Sequence, residues 1–107
     1  MKIIELEPCA KCPYREDAPR GLWEPIEFAT LYVNERKQTG AMYACHKYGK
    51  RPEADRSFCA GWLLDQRRRG VRSVQLRMKL ADTAFADQFD AVHDGGHELF
   101  ADVGSMC

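Results

Sequence analysis

Four cysteines set the strongest constraint on what this chain can fold into. Cys9 and Cys12 are separated by two residues, Cys45 follows after thirty-two more, and Cys59 after a further thirteen. Two thiolates two residues apart bind one ion, because the turn between them points both sulfurs the same way and its N–H groups can hydrogen-bond to them. Two further thiolates complete a tetrahedron. A fold that satisfies this spacing must carry the turn at residues 9–12 against two separate downstream segments, one bearing Cys45 and the other Cys59. The fifth cysteine, Cys107, stands last in the sequence and is expected to be a free, exposed thiol.

A length of 107 residues suits one domain, residues 1–107, and is too short for two independent cores. With 45% hydrophobic and 30% charged residues the chain has enough apolar material to fold and enough charge to stay dissolved. No apolar run reaches bilayer-spanning length, so no membrane partner is expected. The opening residues Met1 to Glu7 lack the apolar stretch and cleavage site of a secretory signal, which places the expected compartment in the cytoplasm. Disulfides are rare there, so the cysteines read as metal ligands before they read as covalent staples.

The apolar pattern predicts an α+β chain, mainly helical, with short strands or extended segments around a four-cysteine metal centre. Ile3 to Leu6 is a short apolar segment, followed by a tight turn from Pro8 to Pro13 and a loop through Pro19, Arg20 and Gly21. Glu24-Pro25 suits a helix start, and Ile26, Phe28, Ala29, Leu31, Tyr32 and Val33 are expected to bury one broad face of a helix ending near Gly40. Ala41 to Cys45 reads as an extended segment and Tyr48 to Arg56 as loop. Ser57 is the expected N-cap of a helix from Phe58 to Arg69 that stops at Gly70, with Asp65 and the arginines mostly opposite its apolar face. Residues 74–80 alternate like a strand, but their composition and Ser73 favour helix. Ala84, Phe85, Phe89 and Val92 predict another short helix, closed by Gly95-Gly96, and the tail from Leu99 to Cys107 a docked extended piece.

Two kinds of centre suit Cys9, Cys12, Cys45 and Cys59. Structural Zn2+ is the simpler, since its binding free energy becomes folding free energy in a small chain. A 4Fe-4S iron–sulfur cluster is the alternative, favoured by Pro13 directly after Cys12 and by aromatics near the ligands: Tyr14, Tyr43, Phe58 and Trp62. The segment Ser57-Phe58-Cys59-Ala60-Gly61-Trp62 locally resembles high-potential iron–sulfur proteins, although the thirty-two-residue gap departs from their pattern. His46 is the alternative ligand. Neighbours in an extended segment point opposite ways, so Cys45 is expected at the metal and His46 outside, bonded to a ligand or solvated. His93 and His97 flank Asp94-Gly95-Gly96 and read as a polar surface turn. A dithiol oxidoreductase fits less well, because its Cys-x2-Cys pair should open a helix, whereas Pro13, Pro19 and Gly21 here make the following stretch a loop.

The net charge is zero but unevenly spread. Residues 56–79 carry seven basic side chains against one acid, and residues 80–107 six acids and no Lys or Arg. The two blocks are expected to neutralise each other in part. Arg67, Arg68, Arg69, Arg72, Arg77 and Lys79 are the candidate contacts to nucleic acid or another partner, against the plainer reading of a solvated helix face. No phosphate loop, nucleophile elbow or paired-carboxylate signature is present, and four cysteines would saturate a metal, so no enzymatic activity is expected.

The blocks Cys9-Ala-Lys-Cys12-Pro13-Tyr14-Arg15, Cys45-His46 and Cys59-Ala60-Gly61-Trp62, followed by Leu76-Arg77 and Leu99-Phe100, resemble a family of small uncharacterised proteins of bacteriophages and prophage-bearing bacteria. The resemblance spans almost the whole chain and implies a four-cysteine centre without implying a reaction. The expected function is that of an accessory or regulatory protein with a structural metal, acting by binding a macromolecule, most simply a protein. A redox or sensing role for an iron–sulfur cluster is the alternative, and nucleic-acid binding through residues 67–79 the second.

Overall fold

A computed structural model describes residues 1–18, 26–27, 29–30, 32, 43–48, 51–70 and 73–100. Three helices account for most of the described order: α1 (Ala60–Arg68), α2 (Val74–Lys79) and α3 (Thr83–Ala91). Two short 3-10 turns, His46–Tyr48 and Glu53–Asp55, precede them. The chain is mainly helical, and its extended parts pair only as isolated bridges among the described residues.

Those bridges decide where α1 begins. Residues 56–59 form an extended strip paired on both sides. Lys2 N–H donates to Arg56 O and Phe58 N–H to Lys2 O on one side; Cys45 N–H donates to Ser57 O and Cys59 N–H to Tyr43 O on the other. The pairing holds these residues in extended backbone, which cannot be part of a helix. The expected start at Phe58 therefore moves to Ala60, with Cys59, still extended at φ −68° and ψ 116°, as N-cap in place of Ser57. Ser57 is fully buried and does different work: its Oγ accepts from Ile4 N–H (3.0 Å) and Glu5 N–H (2.9 Å) and donates to Phe58 O.

The helix α1 is buried from Ala60 through Gln66, so the expected division into an apolar and a charged face fails at Asp65. Asp65 lies inside with its side chain 3% exposed, and two hydrogen bonds from Arg69, at 3.1 and 2.9 Å, neutralise it. A buried carboxylate is tolerated only when paired in this way. Gly70, at φ +68°, ends the helix as expected, since L side chains avoid that region.

Residues 74–79 are helical rather than extended, capped by the Ser73 Oγ, which accepts from Leu76 N–H. Gln66 holds the cap in turn by accepting from Ser73 N–H at 2.9 Å. Asp82 caps α3 through Ala84 and Phe85 N–H. The core is Phe58, Trp62, Leu63, Leu76, Phe89 and Val92, with Phe58 stacked on Trp62 (6.2 Å, 11°) and edge-on to Phe85 (5.6 Å, 70°). Burying each such side chain stabilises the fold by roughly 1.5–3 kcal/mol.

The helix expected after Pro25 has helical backbone at residues 26, 27, 29, 30 and 32. Its expected apolar face is not turned inward there: Ile26 is 70% exposed and Tyr32 39%, the interior being filled by α1 and its rings. Phe28, Leu31, Val33, the helix end near Gly40, the loop at 19–25, the tail beyond Phe100 and Cys107 lie outside the described residues. Among those described, no helix is long and apolar enough to cross a membrane.

Candidate metal centre

The Cys-x2-Cys turn closes on itself through Cys12 N–H to Cys9 O (2.9 Å) and continues through Arg15 N–H to Cys12 O (3.1 Å). It is clamped against residues 98–100, where Glu16 N–H donates to Glu98 O and Phe100 N–H to Tyr14 O. Of the extended piece expected from Leu99 to Cys107, the described residues Leu99 and Phe100 hold the turn in place, Leu99 paired antiparallel with Arg15. Arg15 spans the turn, chelated by Asp17 at 2.7 and 2.6 Å, with Nη1 directed to Pro8 O.

Beneath the turn runs the start of α1. A Cβ on Gly61 would lie 2.7 Å from the Cys12 sulfur and 2.8 Å from Tyr14 Cβ, so only glycine lets the two segments approach this closely. The approach sets the Cys12 and Cys59 sulfurs 3.8 Å apart, both buried. The strip at 56–59 carries residues 43–45 alongside, with Ala44 bridged antiparallel to Phe58, and this brings in Cys45. Cys9 is the partly exposed member of the four.

Cys12 and Cys59 therefore stand as a close thiol pair. Among the described residues, no three His, Cys, Asp or Glu side chains converge on one point as they lie. The thiols nevertheless influence one another. Cys12 is lowered, first by the hydrogen bond from Cys59, against burial, and then by the N–H groups of Tyr14, Gly61 and Arg15. Cys59 is pushed well up by its bond to Cys12, by burial and by the charges of Cys12 and Cys45; Trp62 N–H faces its sulfur and opposes this without closing a full cap hydrogen bond. Burial first, then Cys9, pushes Cys45 up to about 11, against the N–H of Lys47. Backbone donors thus face the sulfurs of three cysteines, as thiolates require.

Sequence reasoning named the four cysteines but missed three supports. Gly61 and Arg15 were visible only as members of motif blocks, and Tyr14 as an aromatic near the ligands rather than as a packing partner of Gly61. His46 opens the 3-10 turn after Cys45; its side chain lies outside the described atoms. His93 and His97 lie in a polar surface turn as expected, with Gly95 N–H donating to His93 Nδ1 at 3.1 Å.

The basic segment is largely committed to the fold. Arg67 reaches the end of α3, donating to Phe89, Asp90 and Val92 carbonyls at 2.9, 3.3 and 2.7 Å. Arg69 pairs with Asp65. Lys79 lies over the Phe58 and Phe85 rings and donates to Met1 O. Arg68 and Arg77 are exposed, and Arg72 lies outside the described residues.

No match is found among curated proteins or among solved structures. Residues 4–107 match the model of a family of unknown function (DUF6283), to which this chain belongs.

Proposed function

We propose that Cys9, Cys12, Cys45 and Cys59 hold one Zn2+ as a structural centre, and that the protein acts through its surface as a small accessory or regulatory protein binding another macromolecule. The single observation that carries this reading is the 3.8 Å separation of the Cys12 and Cys59 sulfurs. A tetrahedral ion with Zn–S bonds of about 2.3 Å needs sulfurs about 3.8 Å apart. Thiolates bound to separate irons of a 4Fe-4S cluster stand much farther apart, so the cluster reading has less support. Backbone donors at Cys12 and Cys45 face their sulfurs in the way coordinated thiolates require.

Four thiolates leave the ion no open position, so the proposed zinc does no chemistry, and what the protein does lies with its surface. A protein partner is favoured over nucleic acid because Arg67, Arg69 and Lys79 are already used within the fold. Purification without added metal, followed by elemental analysis and an absorption spectrum, tests the centre. One zinc per chain and no visible colour is the expected result; iron with sulfide and a brown colour would sink it.

A further inference from the structure

We propose that α2 and α3 form a self-complementary face through which two copies of this chain pair about a two-fold axis, α2 of each lying against α3 of the other. On α2, Leu76 is fully buried, so the line opposite the core runs through Val74 and Met78, one turn apart. These two are 42% and 72% exposed, and exposed Arg77 stands beside them. On α3, Phe89 is buried in the core, and the opposite line is Ala84, Asp87 and Ala91, all exposed, with Asp90 to one side. One helix thus presents an apolar stripe edged by a cation, and the next presents short side chains around an anion.

Charge complementarity names the occupant. The basic and acidic blocks are expected to offset each other within the fold, yet Arg77 and Asp87 have no ion-pair partner among the described residues. Lys79, the other cation of α2, is engaged by Met1 O and the Phe58 and Phe85 rings, and Asp82 by the cap of α3. Arg77 and Asp87 are therefore opposite charges left available on consecutive helices. The chain has no net charge, so two copies approach without overall repulsion. A two-fold axis between the helices sets Arg77 of each copy beside Asp87 of the other and covers both Val74–Met78 stripes in the same step. Such a contact closes on two copies, because each patch meets its complement and none is left to extend the chain of contacts outward.

Sedimentation velocity on the chain as purified, over a wide range of protein concentration, tests the pairing. A monomer–dimer equilibrium is expected, shifted toward monomer in about 1 M salt, where charges are screened beyond about 3 Å. Arg77→Glu and Asp87→Lys lie on exposed positions, and each alone should weaken the dimer by at least about tenfold, since the two-fold axis repeats every like-charge contact. Mixing the two variants, or joining both changes in one chain, sets opposite charges face to face again and should restore the dimer. That restoration separates a direct contact from a variant that merely folds badly. A chain that stays monomeric at every concentration would overturn the proposal and leave the face to a different protein or to nucleic acid. A dimer indifferent to both reversals, or one that the combined changes do not restore, would overturn it equally.

Discussion

Gly61 lies directly under Cys12, close enough that a methyl group in its place would stand 2.7 Å from the sulfur and 2.8 Å from Tyr14 Cβ. Neither contact can be relieved by swinging a flexible side-chain end, because Cys12 and Tyr14 are both buried in the turn. Gly61→Ala is expected to force the turn away from α1, costing about 1–3 kcal/mol. It should also lower zinc content. Thermal melts and metal analysis check it; a variant as stable and as fully loaded as the parent would show that the approach is not needed.

Ser57→Ala removes the acceptor of two N–H groups, those of Ile4 and Glu5, at a site with no access to water. A cost of roughly 1–3 kcal/mol is expected in urea unfolding. Amide exchange at Ile4 and Glu5 should quicken while that in α3 changes little.

Tyr14→Phe is expected to behave in the opposite way. The Tyr14 hydroxyl is buried without a hydrogen-bond partner among the described residues, so removing it sacrifices no bond there and spares a desolvation cost. Stability equal to or above that of the parent, with zinc retained, is the expected outcome in calorimetry. A loss above about 1 kcal/mol would reveal a hydrogen bond made in solution.

The basic segment separates into fold and surface by mutation. Arg67→Ala should destabilise the protein, because three carbonyls at the end of α3 lose the guanidinium that ties them to α1, Phe89 O keeping its bond from Val92 N–H. Reversing Arg68 and Arg77 to Glu should leave the melting temperature nearly unchanged. Salt-sensitive binding to nucleic acid that disappears in the Arg68/Arg77 double variant would revive the nucleic-acid reading; its absence at low salt disposes of it.

Zinc uptake should depend steeply on pH. Burial holds Cys45 up at about 11, and the bond to Cys12 with burial holds Cys59 well up, so both carry protons at neutral pH. Coordination must expel at least these two, and the apparent affinity is expected to rise about a hundredfold per pH unit between pH 6 and 8. Without metal the sign reverses. A thiol raised in the folded state keeps its stability below the ordinary value of 9.0 and loses it as pH rises through about 11, so metal-free protein should weaken in alkali. Calorimetric titrations in buffers of different ionisation enthalpy count the protons.

Much of the fold was legible because local chemistry agrees with the final structure. Ser73, Asp82 and Gly70 behave as cap, cap and stop, and the helical composition of residues 74–79 outweighs their strand-like alternation. The misreadings share a cause. Ser57 looks like an N-cap, yet pairing of residues 56–59 with residues 1–3 and 43–45, partners no local window contains, holds that stretch extended. Asp65 and the arginines look like a solvated face, yet the wrapping of the chain buries the helix on all sides and turns Arg67 and Arg69 inward. Spacing singles out four sulfurs but not the close approach of Cys12 to Cys59. That approach depends on how closely Gly61 lets the turn come to α1.

The strip at 56–59 also fixes an order of events during synthesis. The N-terminal residues must wait for partners 53 positions downstream at Ser57, 47 downstream from Cys12 to Cys59, and 78 downstream from Met1 to Lys79. Contacts this distant close late and slow folding relative to a helical bundle of equal size. The Cys-x2-Cys turn therefore leaves the ribosome early and stays unprotected until α1 has formed behind it. During that interval its thiols are open to stray metals and oxidants.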